Sequence, residues 1–350
     1  MDSFHNRSLN ETGIELSSSG SVTDVTLTWS VAAKIGYLVG LSLVVVTGNS
    51  LVIVAVVRVA ALHKVTNFFL VSLASADLLM GVFTIPLFIV WMLRQDMFAA
   101  SVSCNVVLLS CLFVSVSSQA NVIVVTAERY CAVCHPFQHR RLFFSRPDVV
   151  RKTICAVWIL SGVFSGLSIM AVNKERATCS YYDYFDKNFL LVSVILGVFV
   201  PFAVICGLNV RILYKVHNSG LFQRDMYQAC KQRRNSIVTL SSKATKMVLI
   251  VCFLFLLGWT PFFIVVVVHS FCPTCHLRQA LDLILLFAFT NSAWNPMIYG
   301  LCNKMFRRAY KRVLTFQLSR ADSSSREAKF VLVCGKPSIS FDSQCAENTC

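Results

Sequence analysis

Residues 246–268 read KMVLIVCFLFLLGWTPFFIVVVV, and after Lys246 the stretch holds no charged side chain. A helix needs about 20 predominantly apolar residues to cross the hydrocarbon of a bilayer, and this segment has them. Working outward, six further stretches of the same kind lie at roughly 35–57, 67–92, 104–127, 154–172, 189–210 and 279–301. Backbone amides in lipid have no water to bond, so each spanning segment must satisfy them within itself, as a helix. The expected fold is an all-α membrane protein, a seven-transmembrane helix bundle.

Composition agrees. Of 350 residues, 56% are hydrophobic and only 14% charged, with a mean hydropathy of +0.65; a soluble domain carries about 25% charged residues. The net charge of +15 raises nucleic acid as a partner. The basic residues, however, fall between apolar stretches and not along one polar face, so no nucleic-acid binding is expected. Arg58 and Lys64 follow span one, Arg140, Arg141, Arg146, Arg151 and Lys152 follow span three, and Lys215 to Lys243 follow span five. The alternate connections are sparser in cations, so the basic side is expected to face the cytoplasm.

Seven spans then put the N-terminus outside the cell, at the plasma membrane. Residues 1–30 fit that side: Met1–Thr28 has no apolar signal core, and Asn6-Arg7-Ser8 and Asn10-Glu11-Thr12 are glycosylation acceptors. The bundle occupies 31–302. Residues 303–314 place Phe306, Tyr310 and Val313 at helical spacing among basic residues, the pattern of an amphipathic helix on the inner membrane surface. The Ser-rich tail 315–350 is expected to be disordered.

Polar groups inside the spans are costly and informative. A charged side chain at mid-membrane costs about 2.5–3.5 kcal/mol, and Asp77 is the one acid deep within a span. Ser118, Asn291, Ser292 and Asn295 are its potential neighbours, a set of oxygen donors suited to a small hard cation such as sodium. Glu128-Arg129-Tyr130 closes span three. Pro86, Pro201, Pro261 and Pro296 each remove a backbone hydrogen bond from a span, giving either static kinks or hinges.

Together these residues resemble the rhodopsin-like family of G-protein-coupled receptors over roughly 31–314. The match comprises Gly48-Asn49, Leu73 to Asp77, Cys104, Glu128-Arg129-Tyr130, Trp158, Pro201, Trp259-Thr260-Pro261, Asn295-Pro296 to Tyr299, and Phe306, each on its proper span. The resemblance implies a receptor, not an enzyme, that passes an extracellular signal to a heterotrimeric G protein and then meets receptor kinases and arrestin. It implies that Arg129 is an ionic latch, that Trp259 senses ligand, that Phe255, Pro261 and Tyr299 move on activation, and that Asp77, Ser118, Asn291, Ser292 and Asn295 hold sodium. It also pairs Cys104 with Cys179. Cys272 and Cys275, in the last outer loop, are expected to form a small second ring in the oxidising exterior.

Local motifs look aminergic, including Trp259 to Phe263 and Asn291-Ser292. Aminergic receptors carry an Asp seven residues after the first cysteine of span three; here that residue is Cys111. The inferred pocket is Cys111, Leu112, Ser115, Ser193, Trp259, Phe262, Phe263, Val266, Leu285 and Phe289. Three ligand readings remain open: a small lipophilic or weakly polar molecule, an amine held by Asp282 instead, or a peptide read by the loop Tyr181 to Asp186. Two further departures concern the switch. Asn209 stands where the family usually has Tyr, which takes one stabilising hydroxyl from the active state, and Ser241 where an acid is common, which leaves Arg129 without a span-six partner; the two pull in opposite directions, and the weaker latch, given more weight, favours some basal activity. A light sensor is excluded by the lack of a lysine between Arg278 and Lys304. A transporter or channel would show repeats or more intramembrane charge.

Overall fold

The computed structural model describes residues 29–94, 102–144, 146–172, 179, 185–226, 234–272 and 277–315. Side chains at 29–30, 102–103, 144, 147, 187, 196, 216–226, 234–246, 270, 278–279 and 282 stand outside that description. The glycosylation acceptors Asn6 and Asn10, the tail, and the side chains of Ser241 and Asp282 fall there too.

Among the described residues, six helices are long and apolar enough to cross a membrane: Val31–Arg58, Val65–Leu93, Cys104–Cys134, Asp148–Ala171, Asn188–Lys215 and Met247–His269. These are spans one to six, and their centres match the apolar stretches of the sequence. Span seven is not one helix. It consists of Arg278–Phe289 and Asn291–Cys302, separated by a turn at Thr290. A terminal helix, Lys304–Leu314, comes next, with Asn303 capping it by accepting from the Met305 amide at 2.9 Å.

The prolines explain the irregularities. Span two runs as Val65–Leu79, a wide turn at Met80–Thr84 and Ile85–Leu93. In that turn the Ile85 amide bonds the Met80 carbonyl, one residue farther back than in an α-helix. The next residue, Pro86, has no N–H to continue the pattern, which frees the Gly81 carbonyl. Ser42 of span one donates its hydroxyl to that carbonyl at 2.7 Å. A side chain at Gly81 would meet Val45 and Val46 at 2.9 Å, so the glycine is what lets span one come close enough to do so. Span five has a second wide turn, Ile195–Phe199, just before Pro201.

Span seven repeats the arrangement. Pro296 frees the carbonyl four residues back, that of Ser292, and Asn49 of span one donates to it at 3.0 Å. A Cβ on the neighbouring Gly48 would lie 3.0 Å from the Pro296 ring. On the other side, Tyr310 of the terminal helix donates its hydroxyl to the Pro296 carbonyl at 3.2 Å. Burial pushes the Tyr310 hydroxyl above the usual phenol range, which keeps it a donor.

The apolar core divides into two clusters. One, around Phe69, Leu70, Tyr299 and Phe306, fills the Glu128 end of the bundle; the other, around Ile85, Phe262 and Phe289, fills the Cys104 end. Asn49→Ala removes a buried donor and strands the Ser292 carbonyl, a loss of about 1–3 kcal/mol. The expected result is a lower melting temperature of the purified protein in detergent and reduced surface expression; an unchanged melting temperature would remove the repair role.

Candidate functional site

Three polar centres lie along the bundle axis. At the Cys104 end, Cys104 and Cys179 form a disulfide with Cα atoms 5.7 Å apart, as the resemblance implies. Cys104 and Leu108 of span three pack with Phe185 in one cluster. Asp186 caps span five by accepting from the Asn188 and Phe189 amides at 2.8 and 3.4 Å. Phe185 is buried against Phe189, their rings 5.1 Å apart. Phe185 therefore serves the fold and is not presented to a peptide, whereas Asp186 caps span five while remaining exposed; Tyr181 to Tyr184 lie outside the described residues. Cys272 is also disulfide-bonded, and Cys275 is outside the description.

Below this covering lies a cavity of about 70 Å³. Cys111, Leu112, Ser115, Ser193, Trp259, Phe262, Phe263 and Leu285 line it as the sequence suggests. Val266 and Phe289 do not. Both are almost fully buried in the adjoining core, where Phe289 meets Phe88 edge to face at 5.6 Å. Sequence reasoning missed Val116, Gln119, Phe164, Gly197 and Val198, and it assigned Phe255 to the switch alone; all six line the cavity. Gln119 was within reach, one helical turn beyond Ser115. So was Gly197, one turn beyond Ser193; Val198, five residues beyond Ser193, was not, because the wide turn adds a residue and rotates the rest of the helix by about 100°.

The aromatic lining on span six is continuous. Trp259 stacks on Phe263 at 5.7 Å, meets Phe262 edge to face at 6.0 Å and approaches Phe255 at 6.5 Å. No lining side chain is charged.

The second centre is Asp77, 1% exposed. Its Oδ1 accepts from Ser292 at 2.8 Å and Ser118 at 3.3 Å, and its Oδ2 from the Asn295 amide at 2.7 Å. The structure thus brings together four of the five expected residues. Asn291 is one turn away, its buried amide nitrogen without a partner and packed against Gly258, where any Cβ would collide with it. One carboxylate and two hydroxyl oxygens converge, a donor set that fits a small hard cation.

The third centre is Glu128, 2% exposed. Arg129 grips it with Nε to Oε2 and Nη2 to Oε1, both at 2.7 Å. Thr66 of span two donates to Oε1 at 3.0 Å, Arg129 Nη2 also reaches Thr66, and His139 Nε2 lies 2.7 Å from the same oxygen. His139 belongs to the short helix Pro136–His139, so the connection after span three is tied to the carboxylate that restrains Arg129. Tyr130 stands apart, its hydroxyl 3.4 Å from His135. Spans three and six meet through Thr126 Oγ1 and Cys252 Sγ at 3.1 Å, and Tyr299 is buried with its hydroxyl unpartnered.

A cavity under a disulfide-tethered covering, a buried carboxylate at mid-bundle and a restrained arginine at the far end define a seven-helix signalling receptor. The model of the 7 transmembrane receptor (rhodopsin family) matches residues 48–299, and the chain belongs to that family. It is 27% identical over 325 residues to the human 5-hydroxytryptamine receptor 2C, covering 76% of this chain and 69% of that one. It is 30% identical over 286 residues to the human somatostatin receptor type 3, covering 76% and 64%. It is 27% identical over 305 residues to the histamine H2 receptor of Canis lupus familiaris, covering 83% and 80%. The protein is a multi-pass G-protein-coupled receptor and not an enzyme.

Glu128→Gln keeps the shape of the side chain and removes the charge that holds Arg129. Basal G-protein signalling is expected to rise a few-fold at equal surface expression; a wild-type level would show that this pair does not restrain the receptor.

Proposed function

We propose that this receptor sits in the plasma membrane with its N-terminus outside and responds to a small, neutral, lipophilic or weakly polar ligand in the Trp259 cavity. The observation that carries this reading is the lining: hydroxyl, thiol and amide groups among aromatic and aliphatic walls, with no charge. An amine or a carboxylate entering there would lose its hydration without gaining a counter-ion, a cost of several kcal/mol. The relatives are named for an indole amine, an imidazole amine and a peptide, so the scaffold accommodates several ligand chemistries. Cys111, in place of the aminergic Asp, directs this chain away from amines.

On the opposite side, Arg129 is the group a G protein engages, and kinases and arrestin act on the signalling form. Among the described residues, Thr126 and Cys252 supply a polar contact between spans three and six. A thiol is a weak hydrogen-bonding partner, so this contact opens at little cost and supports ligand-independent signalling. A sodium ion at Asp77, Ser118 and Ser292, with Asn295 holding the second carboxylate oxygen, would stabilise the closed packing by neutralising the buried charge.

The test is G-protein dissociation in cells without ligand, with Arg129→Ala and surface staining as controls. A basal signal that Arg129→Ala abolishes supports the switch. Silence at full surface expression would sink the weak-contact argument. The same assay then screens neutral lipophilic molecules against amines, and a response to amines alone would overturn the ligand class. For the ion, the melting temperature is expected to be higher in sodium chloride than in choline chloride for the wild type, and equal in both for Asp77→Asn; equality in the wild type would remove sodium.

A further inference from the structure

We infer that the cavity continues past Trp259 into a subsite for a neutral, paired hydrogen-bonding group, a carboxamide or lactam, anchored by the amide of Gln119. This rests on the small-ligand reading above and adds the chemistry of the ligand's buried end. Cys111, Ser115 and Gln119 succeed one another at four-residue spacing, so they form a single stripe on span three, and all three face the cavity. The stripe grows more polar with depth, from thiol to hydroxyl to amide.

Hydrogen-bonding capacity is left over in this stripe. Ser115 Oγ is buried without a hydrogen-bond partner, its polar neighbour being the Cys111 thiol, a weak group. Gln119 makes no hydrogen bond to another protein group among the described residues. Ser193, across the cavity, already donates to the Leu190 carbonyl at 2.8 Å and offers only lone pairs. Besides the Trp259 indole N–H on span six, the donors available to a ligand are therefore on span three.

The space is on span five. Phe255, one turn beyond Trp259 on span six, lines the same cavity, so the Trp259 ring is a wall and not the floor. Gly197 lies in the wide turn of span five, and a Cβ there would meet nothing within 4 Å. A side chain at this position would thus fill open volume. The result is a recess walled by Gly197 and Phe255, with one amide as its hydrogen-bonding group. A carboxamide matches it, because a Gln amide offers donors and an acceptor side by side. A purely apolar group would leave Gln119 desolvated and unpaired, which is the strongest discrimination a neutral pocket can make. An ion would find no counter-charge in the lining.

The experiment uses the full receptor in lipid nanodiscs with three probes of similar shape, benzamide, ethylbenzene and benzamidine. Binding is read from the concentration dependence of the melting temperature. Benzamide is expected to bind at least about tenfold tighter than ethylbenzene. Gln119→Leu should bring benzamide down to the ethylbenzene level while ethylbenzene still binds, which shows that the variant is folded. Gln119→Glu should shift preference to benzamidine, and Gly197→Phe should abolish binding of all three. If Gln119→Leu leaves the benzamide preference intact, or if ethylbenzene binds as well as benzamide to the wild type, the subsite is wrong while the cavity reading stands. If Gly197→Phe changes nothing, the subsite is likewise wrong; if no probe binds the wild type, both fall.

Discussion

A carbonyl that a proline has freed inside a membrane cannot turn to water, and an unsatisfied one costs several kcal/mol in hydrocarbon. Much of this receptor's architecture answers that constraint. Span one supplies the donors for two of the breaks: Ser42 for the Gly81 carbonyl of span two and Asn49 for the Ser292 carbonyl of span seven. They are seven residues apart, two turns of helix, and so lie on the same face. The glycines at 48 and 81 set how closely the partners approach. Span one, which contributes nothing to the ligand cavity, is in this sense the strip against which the irregular spans are fitted.

Two buried carboxylates divide the remaining polar work. Asp77 collects donors from spans three and seven, and Glu128 collects them from spans two and three and from the helix Pro136–His139. Each is saturated by neighbours that themselves sit on different helices, so each reports on how those helices are packed. Glu128 Oε1 serves Thr66, Arg129 and His139 at once. Any displacement of Arg129 therefore leaves Thr66 and His139 as the remaining partners of a carboxylate whose Oε2 has lost its donor.

The sequence revealed most where a residue type is expensive in lipid. Asp77, Pro86, Pro201 and Pro296 were visible for that reason, and the spans emerged from apolar length. The positions of Ser118, Ser292 and Asn295 around Asp77 were legible because a buried acid demands donors. The break at Thr290 was not legible, since Phe289-Thr290-Asn291 contains neither proline nor glycine. On span three, where spacing is regular, the cavity was read correctly at Cys111, Leu112 and Ser115 but missed at Val116 and Gln119. It was misread on span five, where the wide turn shifts register, and at Val266 and Phe289, which pack into core. Ser42 escaped notice because a serine in an apolar helix usually bonds its own backbone.

The divided seventh span also bears on how the chain is assembled. Each half is 12 residues long, about 18 Å at 1.5 Å per residue, against a hydrocarbon thickness of about 30 Å. Neither half can hold a place in the bilayer by its own greasiness, and the junction carries Asn291, Ser292 and Asn295. The partners of Ser292 and Asn295, Asn49 and Asp77, emerge from the ribosome long before them. Until the final segment arrives, Asp77 lacks two of its three donors, and the bundle is closed by its seventh span meeting its first two. Biosynthesis of this receptor therefore ends, and does not begin, with the step that makes its interior chemically complete.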